Sequence, residues 1–358
     1  MINVTRPFLP PLEEYNAYTA SIWERVWLTN NGPLVNQLEA SLKQYLGMDH
    51  LLFLSNGTIA LQIAIKALDL TGEIITTPFS YVATTSSIVW ENCTPVFVDI
   101  DRSSLNINPA LIEAAITEKT SAILATHVFG NPCDIDAIAQ IARKHDLKVI
   151  YDAAHCFGTT YKGKSVFNYG DISTTSFHAT KLFHTTEGGA VFTPSAQLHN
   201  KMAQLRNFGH ITPETFGVAG INGKNSEFHA AMGLCNLKYI DDILADRKRV
   251  VDAYLQQLEG LNLTTIQTTP DSGFNYAYMP VVFENNAITM KVIKAMNEKD
   301  IYPRRYFYPC LSTLNYVNKY DTPVSMDISQ RIICLPVYHA MPQEIIDQVC
   351  SIIEETIS

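Results

Sequence analysis

From residue 34 onward the chain alternates between two kinds of segment. Short continuous apolar runs recur, LLFLS at 51–55, PVFVD at 95–99, AILAT at 122–126 and KVIYD at 148–152. Runs of this length without polar interruption are what strands buried on both faces look like. Between them lie longer stretches with helical spacing of apolar positions. The pattern predicts strands over 51–55, 73–77, 95–99, 121–126 and 148–152, interleaved with helices over 34–46, 58–69, 81–91, 109–118 and 134–145. Asn108-Pro109 is a sound helix start, a capping side chain followed by proline at the first helical position. Strands alternating with helices imply a mostly parallel sheet covered by helices on both faces.

The flanking regions differ. Residues 1–33 are irregular around one predicted helix, 12–26, and end in the polar turn Thr29-Asn30-Asn31-Gly32-Pro33. After 152 the pattern predicts a strand over 171–177, a loop, and a strand over 188–193 that returns antiparallel to it. A helix over 195–206 follows, then a Gly-, Asn-, Thr- and Pro-rich loop at 211–225. Helices over 226–240 and 243–259 lead to a change of composition. There a strand over 274–283 and helices over 288–299 and 342–357 predict a second, smaller α/β unit. The expected division is a large domain over 1–245 and a small one over 246–358.

Bulk properties exclude several classes. The 358 residues suffice for one large core and a smaller one. A hydrophobic share of 47% with 17% charged residues suits a compact α/β protein. The net charge of −9 and the lack of a Lys/Arg block argue against nucleic acid as a partner. No signal-peptide core and no 18-residue apolar run appears, so no membrane partner is expected. Seven scattered cysteines without a CxxC pair fit reduced thiols, the cytoplasm as location, and no metal site.

Open parallel sheets bind ligands beyond the carboxyl ends of their strands. After 51–55 comes Ser55-Asn56-Gly57-Thr58 opening a helix, where backbone amides make a phosphate site if they do not serve an ordinary cap. Tyr81 follows 73–77 and can stack on a flat group or pack in the core. Asp152 ends its strand, and a carboxylate there is costly unless it meets a cation or good hydrogen-bond donors. His155 is a core histidine or a group that touches or covers a ligand. Lys181 stands in the loop of the stretch DISTTSFHATKLFHTTEGGA (171–190), among Ser176, His178, Thr180 and His184, with Phe177, Leu182 and Phe183 making the surroundings partly apolar. A loop lysine is ordinarily solvated charge. An amine held among apolar and short polar groups can instead lose its proton near neutral pH, as a Schiff-base lysine must. Pyridoxal 5′-phosphate (PLP) answers all these features: Lys181 as covalent anchor, Asp152 as the acid facing its protonated ring nitrogen. Tyr302 to Pro309, YPRRYFYP, is a phosphate clamp or a packed loop edge.

These parts, in order, resemble the DegT/StrS-type PLP-dependent nucleotide-sugar aminotransferases. The likeness runs through RPFLPP, WLTNNGPLV, SNGTIALQIAI, TTPFSYVAT, PVFVDID, ATHVFGNPCD, YDAAHCFG, SFHATK, GGAVFT, LRNFG, INGKNSEFHAAMG and YPCL, essentially the whole chain. The resemblance implies the aspartate-aminotransferase-like α/β fold, PLP fold type I. It implies Lys181, Asp152 and His155 as catalytic residues and PLP as cofactor, with Asn56, Gly57, Thr58, Tyr81, Ser176 and His178 also at the cofactor. Asn225 would reach the phosphate from a second subunit, making a homodimer with shared sites. Lys181 separates the chain from the dehydratase branch, where histidine replaces the lysine, and many members carry glutamine where His155 stands. Within the family the chain looks closest to members that aminate dTDP-4-keto-6-deoxy-D-glucose with L-glutamate as donor. Amination at carbon 3, a UDP- or GDP-linked sugar, and a non-catalytic regulatory paralogue are the alternatives. Thr29, Asn30, His184, Arg206, Arg304 and Tyr306 are candidate substrate contacts by position and polarity.

Overall fold

The computed structural model describes residues 1–357. Its centre is a seven-stranded sheet of β1 (Leu51–Leu54), β2 (Glu73–Thr76), β3 (Thr94–Phe97), β4 (Thr120–Thr126), β5 (Lys148–Asp152), β6 (Ile172–Ser176) and β7 (Gly189–Phe192). The spatial order is β1-β7-β6-β5-β4-β2-β3. All neighbours pair parallel except β7, which runs antiparallel to both β6 and β1. Successive strand residues point to opposite faces. Phe53, Ile75, Ile123 and Tyr151 accordingly enter one core, and Leu52, Ile74, Leu124 and Ile150 the other.

Helices supply the opposing surfaces. On the first face lie α2 (Pro33–Leu46), which begins at Pro33 and ends at Gly47 in left-handed geometry, and α5 (Ile135–Lys144), capped by Asp134. On the second lie α3 (Gly57–Ala67), capped by Asn56, and α6 (Ala196–Arg206), capped by Ser195. The helix α1 (Leu12–Arg25) packs on α7 (Glu227–Leu237). The next helix, α8 (Ile240–Gln257), passes from one core to another: Ile240 and Ile243 belong to the main core, Val250, Val251 and Tyr254 to a C-terminal one. That second core is built by β8 (Leu263–Thr265), β9 (Met279–Phe283) and β10 (Ile332–Leu335), with α9 (Asn286–Asn297) and α11 (Gln343–Ile357). Val282, Ile332 and Cys334 on the other face of this small sheet join the main core. No helix among the described residues is long and apolar enough to cross a bilayer, and all seven cysteines are unpaired and buried.

Two expectations are corrected, and one segment is added. Residues 109–118 form two short 3₁₀ turns, Pro109–Leu111 and Glu113–Ala115, although Asn108 caps the first as anticipated. Ile112 is fully buried but Leu111 is 45% exposed, so no apolar stripe rewards a helix there, and propensity alone does not hold one. The strand expected over 274–283 begins only at Met279. Ahead of it, Asn275 is buried and donates to the His155 and Phe157 carbonyls, while Arg247 takes the carbonyls of Tyr276 and Ala277. Side-chain bonds to and from this stretch hold it in place of a ladder. Residues 323–335, without an assignment from pattern, form α10 (Pro323–Arg331) and β10.

One carboxylate ties these parts together. Buried Asp99, just past β3, accepts from the Val324 and Ser325 amides at 2.8 Å in the first turn of α10. Asp99→Ala removes that cap and leaves buried amides unpaired. Chemical denaturation should show a loss of about 2 kcal/mol.

Candidate active site

A cavity of about 280 Å³ opens at the carboxyl ends of the parallel strands. Asn56, Gly57 and Thr58 come from the start of α3, Tyr81 from the start of α4 (Val82–Trp90), and Asp152 and His155 from the end of β5. Ser176, His178 and Lys181 follow β6, and Arg304, Tyr306 and Phe307 arrive from the C-terminal part. Eleven predicted residues thus share one cavity, since Arg304 and Tyr306 join nine of the ten expected around the cofactor.

The floor is set by close packing. A methyl group on Gly57 would lie 2.9 Å from Ser176 Cβ, and one on Gly189 2.6 Å from the Asn56 carbonyl. Only glycine at these positions lets α3 begin flush against β6 and β7. Asn56 Oδ1 accepts from the Ile59 amide at 2.9 Å, which spends the cap on the third helical residue. The Gly57 and Thr58 amides precede any intrahelical acceptor and remain available beside Ser176.

Asp152 is buried, its Oδ2 accepting from Thr84 Oγ1 at 2.6 Å and its Oδ1 from the Ala154 amide at 3.2 Å. Burial raises its pKa above the ordinary carboxylate range, against the opposing pull of Thr84, Ala154 and Lys181. The Lys181 amine makes no hydrogen bond or ion pair among the described residues. Desolvation lowers its pKa, opposed by Tyr306 and Asp152. His155 lies face to face with Phe307 (5.8 Å, 8°) and Phe129 (6.3 Å, 16°). Its Nδ1 accepts from the Phe129 amide at 3.2 Å, and burial holds it neutral, so the proton sits on Nε2. It is thus a hydrogen-bonded, buried histidine that also lines the cavity.

The YPRRYFYP segment divides likewise. Arg304 lines the cavity with its guanidinium 5.2 Å from the Tyr306 ring. Arg305 is taken into the loop, bonded to the Ser329 and Gln330 carbonyls and 3.6 Å over Tyr308. Burial pushes the Tyr306 hydroxyl up to about 12.

Other candidates fall elsewhere. Arg206 is buried and pairs with Glu39 at 2.5 Å while donating to the Phe53 carbonyl at 3.0 Å, so it is a packing cation and not a substrate contact. His184 is buried within the Lys181 loop, bonded to the Phe8 carbonyl, and does not line the cavity. Thr29 and Asn30 are exposed in the turn before α2, outside this chain's cavity. Asn225 also lies outside it, with both amide hydrogens given to the Leu54 and Glu187 carbonyls.

Sequence reading missed Thr84, Glu187 and Phe307. Glu187 Oε1 is 3.5 Å from His178 Nε2 in the cavity wall. Thr84 carried a usable signal: it stands one helical turn after Tyr81, where a hydroxyl can face the end of β5.

The fit to PLP is close. A buried acid, free helix amides beside a serine hydroxyl, an unpaired amine and an aromatic ring 56% exposed at the cavity (Tyr81) are the groups that such a cofactor needs.

Comparison with known proteins points the same way. The model of the DegT/DnrJ/EryC1/StrS aminotransferase family matches residues 12–354. The chain is 42% identical to the dTDP-4-amino-4,6-dideoxy-D-glucose transaminase of Shigella dysenteriae, over 99% of this chain and 98% of that protein. It is 38% identical to the protein of the same name from Escherichia coli, over 98% of each. Among solved structures, DesI in the presence of its TDP-sugar product superposes with a TM-score of 0.93 at 30% identity, covering 99% of this chain and 92% of that one.

The raised pKa of Asp152 has a signed consequence for the cofactor-free protein. The folded state binds this proton more tightly than the unfolded chain, so stability from this group is greatest at low pH and falls as pH rises through the folded-state pKa. Asp152→Asn should therefore be more stable than the parent at neutral pH, with the advantage shrinking on acidification. Thermal melts of both proteins across the acidic range check this.

Proposed function

The chain belongs to the DegT/DnrJ/EryC1/StrS aminotransferase family, and on that premise we propose that it uses PLP to move an amino group from L-glutamate to carbon 4 of dTDP-4-keto-6-deoxy-D-glucose. The products are dTDP-4-amino-4,6-dideoxy-D-glucose and 2-oxoglutarate, and the sugar serves surface-polysaccharide synthesis. The observation that carries the chemistry is Lys181, an unpaired amine of lowered pKa sharing a strand-end cavity with buried Asp152. The two dTDP-sugar transaminases among its relatives support the choice of sugar.

When bound, PLP supplies an electrophilic carbon that takes up the amine and a ring that accepts electrons as a proton leaves the neighbouring carbon. Lys181 Nζ anchors it. When not serving as anchor, the same amine would take the proton from the amino acid's α-carbon and return one, a task that its lowered pKa suits. Asp152, oriented by Thr84 and the Ala154 amide, would meet the ring nitrogen with its carboxylate. The Gly57 and Thr58 amides and Ser176 suit the phosphate, Tyr81 a ring face, and the His155 Nε2–H an oxygen acceptor. Arg304 provides a cation for anionic substrates. The protein acts as a homodimer, with Asn225, Thr29 and Asn30 serving the neighbouring site. The exposed Trp23, Val26, Trp27 and Leu28 beside that turn support such an apolar contact.

The test is the visible spectrum of the PLP-loaded protein. L-Glutamate should bleach the cofactor band and dTDP-4-keto-6-deoxy-D-glucose restore it. Bleaching without recovery rejects this sugar, and no band at all rejects the role of Lys181. Lys181→Ala should lower turnover by roughly a thousandfold or more, and retained turnover would refute the assignment.

A further inference from the structure

The Lys181 loop is anchored at a point that the chemistry above does not use. The loop leaves β6 and returns to β7 through short backbone bonds, Ala179 to Thr186 at 2.8 Å and Thr185 to Phe177 at 2.9 Å. The amine itself makes no polar contact, so the backbone of this loop decides where Lys181 sits.

Three residues on, His184 is buried and bonded on every side. The Thr186 amide donates to its Nδ1 at 3.2 Å, which leaves the proton on Nε2, and Nε2 donates to the Phe8 carbonyl at 2.7 Å. Asn236, on α7, donates to the His184 carbonyl at 2.9 Å. Phe8 is itself held, its ring 5.3 Å from Tyr239 and 5.4 Å from His339.

The chain leading to Phe8 makes the other half of the case. Ile2 and Asn3 pair in parallel with Ile301 and Tyr302, and the Val4 carbonyl accepts from Val337 at 3.0 Å. Two residues beyond Tyr302 the same segment enters the cavity wall as Arg304 and Tyr306. Residues 2–8 therefore touch both walls, the Lys181 loop through His184 and the Arg304–Tyr306 wall through the paired strand. We infer that residues 2–8 form a strap that fixes the separation of these walls, and that His184 is the positioning residue through which the strap holds Lys181.

This inference rests on the proposed role of Lys181, and its test is built to separate the two. Glutamine can place its amide nitrogen near the Nε2 position, asparagine only near Nδ1. His184→Gln thus keeps the donor to Phe8, while His184→Asn keeps the loop contact and loses the strap. Turnover of the PLP-loaded protein should fall about tenfold to a hundredfold in His184→Ala and His184→Asn and stay within about threefold in His184→Gln. Phe8→Ala keeps the accepting carbonyl but removes the ring contacts that hold it, so turnover should fall likewise, and the double variant with His184→Ala should be no worse than the poorer single one, because both act on one connection.

The second readout needs no cofactor. Lys181 in the cofactor-free protein is labelled with a small amine-reactive reagent over a pH series, and the labelled peptide is measured by mass spectrometry. Water entering a loosened loop should move the labelling midpoint of His184→Ala upward, toward an ordinary lysine, while His184→Gln stays with the parent. The groups facing Lys181, namely Asp152, Tyr81, Tyr306, Arg304 and His155, are unchanged in all variants.

A midpoint that shifts as described in a protein that fails to transaminate keeps the strap and rejects the proposed function. A fall in melting temperature with an unmoved midpoint and unaltered turnover reduces His184 to a packing residue and overturns the strap. Equal damage in His184→Gln and His184→Asn at matched melting temperatures overturns it too.

Discussion

Asp152 ends a strand covered on both faces, and a carboxylate there is tolerable only if donors are aimed at it. Thr84 meets one oxygen from the first turn of α4, and the Ala154 amide meets the other from the loop leaving β5. That demand orders its neighbours. For Thr84 to reach, α4 must start beside the end of β5, which brings Tyr81 to the cavity at the residue just before the helix. For the Ala154 amide to reach, the chain must turn at once, which puts His155 against Phe129 and Phe307. Much of the cavity wall follows from satisfying one buried acid.

Lys181 meets the same desolvated surroundings from the other side. Burial disfavours the charged form of each group, so it pushes the acid up and the amine down. Bringing the two values toward each other is what proton traffic near neutral pH requires. The antiparallel return of β7 makes this possible, because it closes the Lys181 loop as a tight connection between neighbouring strands.

The main sheet was legible because its strands are buried on both faces and read as unbroken apolar runs, and because each is followed by a chemically distinctive residue. Gly57, Tyr81, Asp152 and Lys181 could be found by looking just past a strand. The errors arose where backbone bonding leaves the regular ladders. Arg247 satisfies carbonyls of the stretch before β9 from 29 to 30 residues away, and Asn275 ties that stretch to carbonyls 118 to 120 residues away, pairings that no local pattern carries. Arg206 and His184 looked like site residues because a polar side chain beside a motif is ambiguous until its partners are known. Glu39 and the Phe8 carbonyl are those partners, each far away in the chain. Arg304 and Arg305 make the same point in adjacent positions: one sequence, two fates, decided by which side of the loop meets the cavity.

The neutral His155 gives the cavity a character of its own. Burial is the first cause of its low pKa, as it is of the raised pKa of Asp152 and the lowered pKa of Lys181, and neighbouring charge comes second. Dissolved ions weaken attractions between exposed charges over distances of about 8 Å at physiological strength, but they cannot dilute a dielectric boundary. The acid–base behaviour of this centre is therefore set first by protein shape and only second by neighbouring charge, so dissolved salt should alter it less than a change in the shape of the cavity would.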